Sequence, residues 1–147
     1  MNKRVLFLCI AALGFAASGA RAQLPDLQVS GLTVTAPLTL TCGSQAVTFT
    51  VTETNASATA SAPFRIDLLK STGGGFTPVC RVARRGLRAN TTRTSQVSCV
   101  FYNGPCDCLP TSYTTTFQVS IDSLNEVIES DETNNLSNLS AVPSTCP

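Results

Sequence analysis

Cysteine is the residue type in this sequence with the most distinctive chemistry. The chain has seven cysteines and no histidine; Cys9 lies in an apolar N-terminal run and six others follow it. An even number of cysteines in an exported chain predicts disulfide bonds. A metal site usually recruits histidine or a Cys-x-x-Cys pair, and neither is available here. The cysteines that we expect to form disulfides are Cys42, Cys80, Cys99, Cys106, Cys108 and Cys146.

The spacing of the cysteines favours one particular pair. Cys80 and Cys99 lie symmetrically about the loop centre at residues 89–90, so we expect them to face each other across that connection. Their Cα atoms would then be within the roughly 4.4–6.8 Å that a disulfide tolerates. A bond between Cys106 and Cys108 would close a small strained ring, so each is expected to pair with Cys42 or Cys146. Which of them pairs with which stays open.

Charged residues form two clusters that suggest a surface function. Arginines surround one predicted loop, and carboxylates follow the last long strand. One interpretation is a solvated face with loose ion pairs, each contributing about 0–1 kcal/mol. The other is a docking surface, because arginine is enriched at interface hot spots and binds carboxylates through two parallel hydrogen bonds. The residues of this possible docking surface are Arg84, Arg85, Arg88, Glu129, Asp131 and Glu132.

The acidic segment also offers the hard oxygen ligands that calcium prefers. Its spacing does not match an EF-hand loop, so calcium-dependent adhesion is an alternative function and no metal ligand is assigned. The possible ligands are Asp122, Asn125, Glu126, Glu129 and Asp131. A small exported enzyme or inhibitor is a further alternative, but a chain without histidine excludes the usual serine and cysteine triads. We expect no catalytic residue and no cofactor.

Residues 1–22 have the pattern of a secretory signal. Asn2-Lys3-Arg4 is basic, an apolar run follows, and Ala20-Arg21-Ala22 is a small-x-small cleavage site. The apolar run is shorter than the roughly 20 residues that span a bilayer. We therefore expect a single mature domain at 23–147 that is secreted, periplasmic or at the cell surface, without a membrane segment. Cleavage removes three of the ten basic residues and leaves seven against nine acidic residues, so the net charge changes from +1 to about −2. This balance disfavours nucleic acid as a partner.

Apolar residues alternate with threonines and serines along most of the mature chain. Val47, Phe49 and Val51 are separated by threonines, a period of two that predicts a half-buried strand. Strands recur about every ten residues, including a fourth at 76–84, a fifth at 94–102, a sixth at 114–122 and a last at 136–142. We predict an all-β fold, a seven-stranded immunoglobulin-like antiparallel β-sandwich with all six disulfide cysteines at one pole.

Two local features refine this prediction. A slip in the period at Ser30-Gly31 suggests a bulge that lets the first strand shift between the sheets. Asn134 and Asn135 are expected to have a structural role, because short amides bond nearby backbone and tolerate left-handed turn conformations.

The stretch from Ile121 to Asn135 carries a family resemblance. Asp122, Val127, Glu129, Asp131, Glu132, Asn134 and Asn135 follow in an order that resembles the closing signature of the CARDB family, cell-adhesion-related domains of bacteria. The resemblance extends back to Asp26 and implies an extracellular, immunoglobulin-like binding or spacer module without catalysis, but it names no partner. We expect a binding, adhesion or structural module whose partner is a protein or glycan at the cell surface, or a second copy of the chain. Departures from the family pattern are Glu53, where an apolar residue is usual, the lack of a glycine after Asn55, and the six cysteines.

Overall fold

The computed structural model describes residues 23–36, 39–41, 43–102 and 113–144. All of its regular elements are β-strands, and within the described residues there is no helix long and apolar enough to cross a membrane. The strands are β1 (Leu27–Ala36), β2 (Ser44–Asn55), β3 (Phe64–Ser71), β4 (Thr77–Arg84), β5 (Thr91–Tyr102), β6 (Tyr113–Ile121) and β7 (Ser140–Ser144). The prediction of a seven-stranded, all-β fold is confirmed.

The strands form two antiparallel sheets, one with the order β1-β2-β5 and the other with the order β4-β3-β6-β7. Consecutive strands run in opposite directions, so the connecting loops sort into two ends of the sandwich. We call one end the lower pole: it contains the N-terminal segment 23–26 and the loops 56–63, 85–90 and 122–139. The acidic segment and the arginine loop therefore lie at the same end.

The core lies between the two sheets and consists of the alternate residues of each strand. Its centre is aromatic. The ring of Phe117 packs edge-on against that of Phe49, with 5.1 Å between the ring centroids, and its centroid is 5.6 Å from that of Phe101. A cavity of about 10 Å³ beside this cluster is lined by apolar residues of both sheets and both half-cystines. Such close packing is typical of a structural core and leaves no room there for a substrate.

One disulfide joins the two sheets. Cys80 of β4 and Cys99 of β5 are bonded, with their Cα atoms 5.9 Å apart. The predicted pair is therefore present, but β4 and β5 belong to different sheets and are not neighbours in a ladder. The bond crosses the core at an edge of the sandwich, and both cysteines lie within strands. The predictions for Cys42, Cys106, Cys108 and Cys146 concern residues outside the described part of the chain.

Two strand predictions need correction. The last strand begins at Ser140. The segment before it contacts β6 through the isolated Ser120–Leu136 bridge and through hydrogen bonds of Asn135 and Ser137, which do not form a continuous ladder. The bulge between Val29 and Gly31 is present, yet β1 continues to pair with β2 beyond it. The first segment reaches the other sheet only at Leu40, which bridges Ser144 in parallel. A second irregularity in the ladder of β1 with β2 lies between Val34 and Ala36, where β1 ends.

We expect the double variant Cys80→Ala/Cys99→Ala to unfold at lower urea concentration than the native chain. The bond closes a loop with a sequence separation of 19 residues. Removing a link of this length restores chain entropy to the unfolded state, at a cost of about 3 kcal/mol. Equilibrium unfolding followed by circular dichroism measures the loss. Equal midpoints for the two proteins would contradict a stabilising role.

Candidate functional site

A buried carboxylate lies between the sheets near the lower pole. Glu53 of β2 is fully buried, and its Oε1 is 2.7 Å from Nε of Arg84 on β4. Its other oxygen accepts hydrogen bonds from Nε and Nη2 of Arg93 on β5, at 2.8 and 2.5 Å. Arg84 also donates to Ser95. Because Glu53 has two cationic partners, β2 continues regularly to Asn55 despite a charge on its inward face.

The sequence contains a signal for this carboxylate site. Glu53 has the same parity in β2 as Phe49 and Val51, so the alternation that predicts the strand also places Glu53 inside. A buried carboxylate requires hydrogen-bonding or cationic partners. Sequence reasoning missed the site because it assigned Arg84 to the protein surface, whereas the Arg84 side chain is only 13% exposed.

Asn55 connects three segments of the lower pole. Its side-chain oxygen accepts hydrogen bonds from the backbone N–H groups of Asp26 and Ser57, both at 3.2 Å. Its amide nitrogen donates to the carbonyls of Thr59, Leu87 and Arg88 at 2.8–3.3 Å. The side chain is fully buried. One amide thus fixes the N-terminal segment, loop 56–63 and loop 85–90 relative to one another.

The N-terminal segment lies between two loops. The carbonyl of Leu24 accepts a hydrogen bond from the Ser57 hydroxyl at 2.6 Å. On the other side, the carbonyl of Pro25 accepts from the Ser130 N–H at 2.9 Å, and Oδ1 of Asp26 accepts from the Asn134 amide at 2.8 Å. Residues 23–26 therefore link loop 56–63 to loop 122–139.

Asp122 shapes the start of the acidic segment. It has a positive φ of 44° and is almost completely buried, at 1% exposure. Its two carboxylate oxygens accept the backbone N–H groups of Glu126 and Val127, each at 2.9 Å. The bonds hold the reversal closed and bury the Val127 side chain against the core. A short acidic side chain suits this position because it tolerates the left-handed conformation and satisfies two backbone donors.

Glu129 is an interior residue rather than a surface charge. It is 6% exposed and accepts hydrogen bonds from the backbone N–H of Leu27, at the start of β1, and from the Asn135 amide at 3.3 Å. Burial raises its pKa to about 7, although both hydrogen bonds act in the opposite direction. The carboxylates of Glu132 and Asp122 raise the pKa further. Glu129 therefore titrates near neutral pH while holding β1 in place.

The remaining carboxylates of the segment stabilise its local turns. Asp131 accepts hydrogen bonds from the N–H and hydroxyl of Thr133, and these bonds lower its pKa. Glu132 accepts the backbone N–H of Glu129 at 3.0 Å. The structural role expected for Asn134 and Asn135 is present as side-chain bonds, but the left-handed residues of the segment are Asp122 and Asn125.

The possible docking surface is therefore smaller than the sequence suggests. Arg84 and Glu129 are occupied inside the fold, and Asp131 and Glu132 bind their own loop. Arg85 and Arg88 are exposed, and neither side chain is in an ion pair within the described part of the chain. The exposed apolar side chains of the lower pole include Leu24 (40%), Leu124 (44%) and Ile128 (76%).

The geometry does not bring the five possible calcium ligands together. Both oxygens of Asp122 accept backbone hydrogen bonds, Glu129 points to Leu27, and Glu126 pairs with Arg65 at 2.8 Å. Across the described residues, no group of three or more His, Cys, Asp or Glu side chains is arranged to hold a metal ion. These carboxylates are instead engaged by backbone N–H groups and by Arg65.

Comparisons with known proteins agree with this architecture. The CARDB family model matches residues 24–139. The crystal structure of a CARDB domain from Pyrococcus furiosus in complex with di-metal ions has a TM-score of 0.51 and 14% identity, and the match covers 84% of this chain and 94% of that one. The solution structure of the same domain has a TM-score of 0.48, 14% identity, and coverage of 84% and 95%.

A β-glucosidase from Listeria innocua in complex with glucose gives a TM-score of 0.48 and 16% identity, with 82% of this chain but only 16% of the enzyme covered. At such identities the similarity concerns the fold alone. No curated protein is significantly similar in sequence.

We expect Glu53→Gln to destabilise the protein by about 3–5 kcal/mol, because it leaves the buried Arg84 guanidinium without its counter-charge. The matched control is Arg65→Ala, which removes the partly exposed pair between Arg65 and Glu126 and is expected to cost about 0–1 kcal/mol. Urea unfolding of both variants measures the difference. Similar losses in the two would show that the buried pair is not special.

We expect the free energy of unfolding to fall as pH rises from about 4.5 to 7. The pKa of Glu129 is about 7 in the folded protein against 4.5 in the unfolded chain, so between these pH values Glu129 is ionised in the unfolded chain but still protonated in the folded protein. This ionisation lowers the free energy of the unfolded chain relative to the folded protein. With allowance for solvent screening, the loss is on the order of 1–2 kcal/mol, and it levels off above pH 7.

Glu129→Gln cannot titrate, so its stability relative to the native chain is expected to rise with pH over the same range. Asp131→Asn removes an exposed carboxylate that does not shift the pKa of Glu129, so it is the matched control and keeps the native slope. Chemical unfolding at several pH values measures all three. Parallel curves for the native protein and Glu129→Gln would refute the assignment.

Proposed function

The chain belongs to the CARDB family, and on that premise we propose that it is a non-enzymatic binding module that docks to a protein partner outside the cytoplasm through its lower pole. The observation that carries the proposal is the division of side chains at this pole. The buried polar side chains hold the loops together, while the charged Arg85 and Arg88 and the apolar Ile128 remain exposed.

The loops of the lower pole are fixed before any partner arrives. Asn55 joins the N-terminal segment to loops 56–63 and 85–90, and Glu129 joins β1 to loop 122–139. At Gly86, even a Cβ atom would collide with the carbonyl of Ser61, so loops 56–63 and 85–90 are in close backbone contact. A surface with little freedom to lose binds with a smaller entropic cost.

The exposed side chains suit a protein partner with an apolar contact and a carboxylate. Ile128 is 76% exposed, yet its neighbours Val127 and Glu129 are buried, so its backbone is held on both sides. Covering an exposed apolar side chain with a partner is favourable, because it removes apolar surface from water. Arg85 and Arg88 provide guanidinium groups that bind carboxylates through two hydrogen bonds.

The interior supports a module without catalysis. The cavity between the sheets is about 10 Å³ and its lining is apolar, whereas substrate sites are usually clefts of several hundred Å³. The buried carboxylates of the lower pole are engaged in structural bonds, Glu53 with arginines and Asp122 with backbone N–H groups.

Export is supported by the disulfide and by the N-terminal sequence. The bond between Cys80 and Cys99 is of a type that persists in oxidising compartments and is rare in the cytosol. Residues 1–22 have the pattern of a secretory signal. Together they favour a protein that works in the periplasm or outside the cell.

Site-specific photo-cross-linking in the native cells tests the docking proposal. A benzophenone amino acid at position 128 is expected to capture a defined protein partner. The same probe at Thr114, which is exposed on β6 of the β4-β3-β6-β7 sheet, is not. Arg85→Ala/Arg88→Ala is expected to reduce capture at least tenfold. Thr77→Glu/Thr114→Glu changes the net charge equally and is expected to leave capture intact.

Two results would overturn the proposal. One is equal capture from positions 128 and 114, which would show that the lower pole has no special role. The other is turnover by the purified protein in panels of peptide and glycoside substrates, which would replace a binding module with an enzyme.

A further inference from the structure

The outer face of the β1-β2-β5 sheet carries an unusual density of hydroxyl groups. Along each strand the inward residues build the core, and the outward ones are exposed or half-buried. We call the polar middle of this outward set the hydroxyl face; its members are Ser30, Thr33, Thr35, Thr48, Thr50, Thr52, Thr54, Thr92, Thr94, Gln96 and Ser98. Neither the CARDB signature nor the lower pole accounts for it.

The hydroxyls of this face bond to one another across the strands. Thr54 contacts both Ser30 on β1 and Thr92 on β5, at 3.1 and 3.0 Å. Thr52 contacts Thr94 at 3.0 Å, and another rung joins Thr48 and Ser98 at 2.9 Å. These ladders fix side chains whose β-branching already limits their rotamers. A bonded pair still offers one donor and three lone pairs, so the array keeps hydrogen-bonding capacity toward solvent.

All the side chains of the hydroxyl face are uncharged. The outer face of the other sheet is different, because it carries the ion pairs of Arg81 with Asp67 at 2.6 Å and of Arg65 with Glu126 at 2.8 Å. Roughly a quarter of the residues in an ordinary soluble domain are charged. An uncharged face does not suit an anionic or cationic ligand, since nothing on it would offset the loss of hydration of the ligand's charge.

The array is regular and has an aromatic residue at one end. Neighbouring strands of a sheet are about 4.8 Å apart, and residues on the same face of one strand are about 6.8 Å apart, so the hydroxyls form a grid over three strands. Beyond Ser98, Val100 and Tyr102 continue the outer face of β5 and are 68% and 59% exposed. A tyrosine ring offers both an apolar surface and a polar tip.

We propose that the hydroxyl face binds a neutral, extended polysaccharide. Sugar hydroxyls, like those of Ser and Thr, both donate and accept hydrogen bonds, so the two arrays can exchange bonds without desolvating a charge. Tyr102 provides a platform for the apolar face of a sugar ring. A second copy of the chain is a poorer occupant, because the middle of the face lacks the large apolar side chains that form the centre of stable dimer interfaces.

This site is separate from the lower pole and involves none of its residues. The module would thus hold a polysaccharide on one sheet while its loops contact a protein. The two activities are expected to be lost independently.

Co-sedimentation with insoluble polysaccharides tests the proposal. Microcrystalline cellulose, chitin and a (1→3)-β-glucan are the probes. The native protein is expected to be retained by at least one of them and to remain bound in high salt, since no ion pair contributes. Retention by none of the three overturns the proposal, and so does elution by salt.

The key variant is Thr33→Lys/Gln96→Lys. Both residues are exposed on edge strands, on either side of Thr50, and neither takes part in a rung of the ladders described above, so two cations enter the face without breaking those rungs. The bound fraction is expected to fall at least tenfold. Thr77→Lys/Thr114→Lys adds the same charge to the other sheet and is expected to bind like the native protein. Thermal unfolding by circular dichroism verifies that both variants fold.

Further variants separate this site from the docking site and from self-association. Tyr102→Ala is expected to weaken retention several-fold, whereas Arg85→Ala/Arg88→Ala is expected to leave it unchanged. Equal retention of the native protein and Thr33→Lys/Gln96→Lys would overturn the proposal. A dimer in sedimentation velocity that Thr33→Lys/Gln96→Lys dissociates would also overturn it, by assigning the face to a second copy of the chain.

Discussion

The buried pairing of Glu53 with Arg84 and Arg93 is the interaction on which the lower part of the sandwich depends. It joins a strand of each sheet through a carboxylate that is completely removed from water. Such an arrangement is stable only if both partners are present, because a single buried charge is far more costly than a buried pair. The pair therefore fixes the relative position of β2, β4 and β5, and with it the loops that leave these strands.

Most of the polar chemistry at the lower pole serves the fold. Asp122 binds two backbone N–H groups, Glu129 holds the start of β1, and Asn55 bridges three segments. Side chains of these types often mark metal or catalytic sites, but here each is engaged by a structural partner. Function is therefore sought in what the interior leaves exposed, namely the arginines and Ile128 of the lower pole and the uncharged hydroxyls of the outer sheet face.

Much of the fold follows from local patterns. The alternation of Val47, Phe49 and Val51 with threonines specifies both the strand and its buried face, since successive side chains point to opposite sides. The candidate site was harder to predict. Arg84 and Arg85 are adjacent, yet Arg84 reaches inward to Glu53 and Arg85 lies in solvent. The parity of β4 separates the two arginines locally, but the position of Glu53 opposite Arg84 depends on how the two sheets pack, which is long-range information.

The sequence by itself determined the all-β class, the number of strands, the cysteine pair Cys80–Cys99 and the acidic signature, because each depends on residue type and spacing along the chain. The tertiary structure alone decided that this disulfide crosses between sheets, that β7 begins at Ser140, and that Glu129 is buried with a pKa of about 7. Those features depend on which strands become neighbours and on how much water a side chain keeps. Both are set by packing between residues far apart in the chain, such as Leu27 and Glu129.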